Sequence, residues 1–152
     1  MKKMNNKGFS LVELIVVIAI MAVLIGVLAP QFIKYVEKSR ETTDIQNLDT
    51  CVSAVRTYYA DKDSVPEVKI SVDSNDLFVT DDSNASLIDA GCDKTKQKSS
   101  EWSGLQATVK TDGQVEYAGT AKYYKAKSDG SGYEAKTNTA SPSPSTSPST
   151  GA

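Results

Sequence analysis

Gly8, Phe9 and Glu13 are the residues of this chain whose types and spacing could take part in chemistry. Glu13 sits near the start of a long apolar run, where a carboxylate at membrane depth costs about 2.5–3.5 kcal/mol. One reading makes it a boundary acid, reaching towards lipid headgroups and favoured by the positive end of a helix. The other gives it a partner cation, an amine released by cutting the chain before Phe9. Gly8 presents a protease at the membrane face with an unobstructed bond that can be drawn out straight. The freed Phe9 amine would be a cation at neutral pH. Position alone leaves the two readings level.

Other chemistries lack their reagents. The chain has no histidine, which excludes Ser-His and Cys-His catalysis and His-based zinc sites. Its two cysteines, Cys51 and Cys92, cannot build a structural zinc site alone. The acids Asp73, Asp76, Asp81 and Asp82 could suggest calcium, but they lack the glycine and terminal glutamate of an EF-hand loop and read as a solvated acidic loop. No catalytic, cofactor-binding or metal residue is expected, and no enzyme.

The elements that must position Glu13 begin with the apolar run. From Leu14 to Ile33 there is no charge and one clearly polar side chain, Gln31. As a helix this stretch reaches about 30 Å, the thickness of a bilayer's hydrocarbon core. Lys2, Lys3 and Lys7 should hold the leader on the cytoplasmic side and deliver the rest outside. A secretory signal peptide fits poorly, because its apolar core is shorter and the small-residue candidate Val27-Leu28-Ala29 runs into Pro30.

Gly8-Phe9-Ser10-Leu11-Val12-Glu13-Leu14, with Pro30 further on, resembles the signal of the type IV pilins and related pseudopilins. The resemblance covers Lys7 to about Tyr35. It implies that a membrane-embedded prepilin peptidase cuts between Gly8 and Phe9 and N-methylates Phe9. It also implies assembly through Phe9 and Glu13, the carboxylate of one subunit meeting the amine of its neighbour. Such a pair acts as a register device more than as net glue, since pairing mainly offsets desolvation. Proline cannot donate to the carbonyl four residues back, that of Gly26, and the resemblance implies a segment from Gly26 to Pro30 that loosens in the filament.

Beyond the run, Ile45, Leu48, Val52, Val55 and Tyr59 recur at three- and four-residue steps, the stripe of an amphipathic helix. Asp61-Lys62-Asp63-Ser64 and Pro66 should end it, giving one helix of about 50 residues from near Ser10 to Ala60, about 75 Å long. Alternation on both sides of Asp112-Gly113 predicts a hairpin with a two-residue turn. Ala121–Ala126 and Gly132–Lys136 are candidate strands, and Val68–Val72 a strand or a loop segment. The expected fold is α+β, a ladle in which the C-terminal half of the helix packs on a small antiparallel sheet. Its parts are a leader over 1–8, a membrane or filament-core half-helix over 9–33, a head over 34–136 and a Ser/Thr/Pro-rich tail over 137–152. That tail has no charge and no aromatic residue, and is predicted to be disordered. Asn84-Ala85-Ser86 is a glycosylation sequon, weak by itself.

Cys51 lies on the apolar side of the helix, and two outcomes stay open: a bridge to Cys92, or two partly buried thiols. Many pilins close a loop near the C-terminus with a disulfide; no cysteine follows Cys92, so this sheet edge must be held otherwise. Removing Lys2, Lys3 and Lys7 takes the formal charge from −2 to −5, which argues against nucleic-acid binding by the isolated subunit. The expected role is a major-type pilin: a single-pass precursor in the cytoplasmic membrane, extracted from lipid by an ATPase-driven assembly platform. It would polymerise into a helical homo-oligomer, a surface pilus for adhesion, motility or aggregation. The alternatives are a pseudopilin of a type II secretion or DNA-uptake system, and a monomeric signal-anchored surface binding protein.

Overall fold

The computed structural model describes residues 9–81, 92 and 95–137. One helix, α1, runs unbroken from Leu11 to Tyr59 and is followed by six strands. The strands are β1 (Val68–Val72), β2 (Phe78–Thr80), β3 (Ser103–Val109), β4 (Val115–Thr120), β5 (Tyr124–Ala126) and β6 (Tyr133–Ala135). They form a single sheet in the order β2-β1-β3-β4-β5-β6, antiparallel at every pair. The α+β fold expected from the sequence is the fold observed.

The helix has two unlike halves. Every residue from Phe9 to Tyr35 is exposed, so the apolar run stands clear of the head. From Glu41 on, one face is buried: Glu41, Asp44, Leu48, Cys51, Val52, Ala54, Val55 and Tyr59. The stripe read from the sequence therefore begins earlier than its apolar letters, because two acids continue it. Ile45, counted in that stripe, is only half-buried.

Against this face pack Val68 and Ile70 of β1, Phe78 of β2 and Leu105, Ala107 and Val109 of β3. Registers of Val68 opposite Val109 and Ile70 opposite Ala107 put these side chains on one face of the sheet. Cys51 and Cys92 are joined by a disulfide, Cα to Cα 4.9 Å, tying the connection between β2 and β3 to the helix.

The β3–β4 connection corrects the two-residue turn. Gly113 N–H donates to Lys110 O at 2.9 Å, Lys110 N–H donates to Gln114 O at 2.8 Å, and Gly113 takes φ +80°. Asp112 does not have positive φ, which a two-residue turn of the favoured type needs at both positions. The loop is therefore three residues, a tight turn closed by a left-handed glycine. Gly104 and Gly119 mark a second irregularity, where the β3–β4 register shifts between Ser103 and Gln106. A Cβ on Gly119 would stand 2.6 Å from Gly104 O, so the strands approach too closely there for any side chain.

Val68–Val72 is a strand. Of the span Ala121–Ala126 only Tyr124–Ala126 pairs, because Ala121, Lys122 and Tyr123 form the turn out of β4. Strand β2 had no clear alternating signal. The leader, the sequon Asn84-Ala85-Ser86, Asp82 and residues 138–152 lie outside the described residues.

Candidate assembly segment and its anchorage

Ser10 precedes α1 in an extended conformation, and its side chain makes no capping bond. Leu14 N–H donates to Ser10 O at 3.3 Å, which starts the helical ladder. Glu13 falls in the first turn, where the helix's unpaired N–H groups favour a negative charge. Phe9, just outside the helix, is 89% exposed. Among the described residues Glu13 has no hydrogen-bond or ion-pair partner. It is thus an exposed acid at the head of a half-helix long and apolar enough to cross a membrane. The helix continues unbroken past Gly26 and Pro30, and nothing lies within 4 Å of where a Gly26 Cβ would sit.

The anchored half shows how the chain treats acids when it supplies their partners. Glu41 is wholly buried, and its carboxylate accepts from the N–H groups of Lys122 (3.2 Å), Tyr123 (2.9 Å) and Tyr124 (3.1 Å) in the β4–β5 turn. Asp44, one turn on and equally buried, accepts from Lys98 N–H at 2.6 Å and Ser99 N–H at 2.8 Å. Glu37, a turn before Glu41, accepts from the Ser99 hydroxyl and pairs with Arg40 at 3.4 Å. Three acids at successive turns thereby pin the helix to the β4–β5 turn and to the stretch around Ser99.

Burial pushes the Glu41 carboxyl above its ordinary 4.5, against the pull of its three N–H donors and with help from the nearby Glu37 charge. Asp44 is likewise raised above 3.8 by burial, opposed by the Lys98 and Ser99 N–H groups. Sequence reasoning passed over both acids. The signal was present in their spacing, since 37, 41, 44 and 48 continue the three- and four-residue steps of the apolar stripe.

The sheet edge is held by an aromatic latch. Tyr133 of β6 reaches back across the sheet, its hydroxyl 2.6 Å from Ala118 O and 3.2 Å from Gln106 O. Its ring sits edge-on between Trp102 at 5.3 Å and Tyr117 at 5.6 Å. Tyr117 in turn donates to Asp49 of the helix at 2.8 Å. Burial raises both phenols above their ordinary range.

The acidic stretch is used structurally. Asp73 accepts from Asn75 N–H (2.8 Å) and Leu77 N–H (2.9 Å), Asp81 accepts from Lys69 N–H (2.7 Å), and Asp76 pairs with Lys96 at 3.6 Å.

A membrane-length apolar half-helix, continued into a small antiparallel head and preceded by a Gly-Phe junction four residues before a lone Glu, is the layout that the resemblance to the type IV pilins implies. Residues 3–29 match the family described as the prokaryotic N-terminal methylation motif. The chain is 34% identical over 59 residues to the type IV major pilin protein PilA of Myxococcus xanthus, covering 39% of this chain and 27% of that one. It is 35% identical over 57 residues to the type IV narrow pilus major component PilA5 of Thermus thermophilus, covering 38% of this chain and 46% of that one. The match thus spans less than half the length of either relative. No solved structure matches significantly. Over its N-terminal part the chain is similar to type IV major pilins, and it carries an N-terminal methylation motif.

Proposed function

We propose that this chain is the precursor of a major-type pilin, a subunit polymerised into a surface filament. The observation that carries the reading is the exposed apolar half-helix, in which Glu13 has no partner among the described residues of its own chain. Prepilin peptidase would cut between Gly8 and Phe9 and methylate the Phe9 amine. The half-helix would first span the membrane and then, drawn out by an ATPase-driven platform, pack against its neighbours. A fully buried Leu or Ile is worth about 1.5–3 kcal/mol against water. Lipid is already apolar, so most of that gain offsets lost lipid contact, and selectivity falls to the Glu13–Phe9 pair. The segment from Gly26 to Pro30, where the helix lacks one hydrogen bond, would loosen during that passage.

Mass spectrometry of surface protein tests the reading: the mature chain should begin with N-methyl-Phe9, and Gly8→Val should keep the leader. A surface chain that retains Met1 would overturn it. Shearing the cells and labelling with an antibody to the head separates the filament forms. Long labelled filaments support a pilus; processed protein without shearable filaments points to a pseudopilin.

A further inference from the structure

Where the apolar run meets the head, a cavity of about 400 Å³ opens between α1 and the far end of the sheet. Four lysines line it, Lys34 and Lys38 from the helix and Lys122 and Lys136 from the head, together with Tyr35 and Tyr123. None of the four makes an ion pair among the described residues, and the nearest acids are engaged. Glu41 is spent on the backbone N–H groups of 122–124, and Glu37 on Ser99 and Arg40. The Lys136 ammonium is held in place by donating to Ala121 O. A chain of formal charge −2 thus gathers four cations without an acid partner among the described residues around one hollow, including a like-charged pair one helical turn apart. That arrangement calls for an anion.

Depth says which anion. Lys34 is the first charge after the run, and Lys38 lies about 6 Å further along the helix. Headgroup layers extend about 5–8 Å beyond the hydrocarbon on each side of a bilayer, so the cavity lies at phosphate level. Tyr35 and Tyr123 are residues favoured at that level. The flanks agree: Lys2, Lys3 and Lys7 precede the run, yet Lys34, Lys38 and Arg40 follow it. Basic charge that orientation alone would disfavour outside is retained there.

We propose that this lysine cavity binds the phosphodiester headgroup of an anionic phospholipid in the outer leaflet, holding the precursor's head against the membrane until extraction. The inference rests on the membrane-inserted precursor reading. The test reconstitutes the full-length precursor into vesicles of phosphatidylcholine alone or with a minority of phosphatidylglycerol. Insertion is read by flotation after carbonate washing, and lysine acetylation rates by peptide mass spectrometry, with Lys69 as reference. Lys34, Lys38, Lys122 and Lys136 should react several-fold more slowly when phosphatidylglycerol is present, and Lys69 at an unchanged rate. In the variants K34Q/K38Q and K122Q/K136Q, the phosphatidylglycerol needed to half-protect the remaining pair should rise about five-fold per lysine removed.

Insertion in both vesicles with equal lysine rates would overturn the proposal and leave the membrane reading intact. Failure to insert in either would overturn that reading and the proposal with it. Equal protection by free glycerol phosphate in phosphatidylcholine vesicles would assign the cavity to a soluble anion. Protection that follows the protein-to-lipid ratio would assign it to a second copy's acidic face. Either of these last results also overturns the lipid assignment.

Discussion

Glu13 and Glu41 lie on the same helix, about 42 Å apart at the standard rise, one exposed and one wholly buried. Glu41 is buried under the β4–β5 turn and accepts from three backbone N–H groups. Glu13 heads an apolar half-helix and has no partner among the described residues. A desolvated carboxylate is tolerated when donors accompany it and is costly when they do not. The head satisfies its acids internally and is a finished fold. On the proposed pilin reading, the stem would leave its acid for another molecule to satisfy. The same contrast holds for apolar groups, which form one buried stripe after Glu41 but surround the stem on every side before Tyr35.

The strongest way to break this contrast is Glu13→Ala. Synthesis, insertion and leader cleavage should persist, while filament yield collapses: an unpaired buried ammonium costs about 3–5 kcal/mol at each subunit addition. Co-expressed unaltered chain should partly rescue incorporation. Normal numbers of full-length filaments from the variant alone would reduce Glu13 to a boundary acid.

In the head, Cys51→Ser with Cys92→Ser removes a cross-link of sequence separation 41. On the chain-entropy account the loss is about 4 kcal/mol, read as a lowered denaturation midpoint of the full chain in detergent. Non-reducing peptide mapping should recover the two cysteine peptides joined. Glu41→Ala comes next: three N–H groups lose their acceptor, and about 3 kcal/mol should go with them. Membrane insertion of the stem should be unaffected, and a variant as stable as the unaltered chain would show that water replaces the carboxylate without cost.

A pH series sharpens the same point. Both buried carboxyls titrate higher in the folded chain than in the unfolded one, so the folded chain keeps protons that the unfolded chain has released. Their contribution is therefore most favourable below the ordinary values of 4.5 and 3.8 and declines as pH rises through the elevated folded values. Glu37 strengthens the trend at Glu41, and Lys98 weakens it at Asp44. Asp73, half-buried, and Asp129, exposed, are held low by turn N–H groups and act in the opposite sense. The readout is thus the difference between the unaltered chain and a Glu41→Gln, Asp44→Asn double variant, whose stability should decline less with rising pH. The smallest effect is expected from Tyr133→Phe, about 1 kcal/mol for a lost hydroxyl bond, with the latch strand β6 exchanging amide hydrogens faster than β3.

What could be read without coordinates was what local pattern encodes. The run from Leu14 to Ile33 has the length of a membrane, Gly8-Phe9 and Glu13 stand at a recognisable spacing, and the steps from Ile45 to Tyr59 give a helix nearly to its observed end. A hairpin at Asp112-Gly113 was legible, but not its three-residue loop, because Asp-Gly fits both and the choice depends on backbone angles at Gly113.

Tertiary structure alone decided the rest. The partners of Glu41 and Asp44 could not be read along the chain, because their donors lie 81 to 83 and 54 to 55 residues away. Tyr133 became the edge latch because Gln106 and Ala118 come beneath it only when β3, β4 and β6 share a sheet. Periodicity and motif spacing are properties of neighbours along the chain, and they identify the stem. Whether a polar side chain can be buried depends on which distant backbone groups arrive beside it, and only the folded head brings them there.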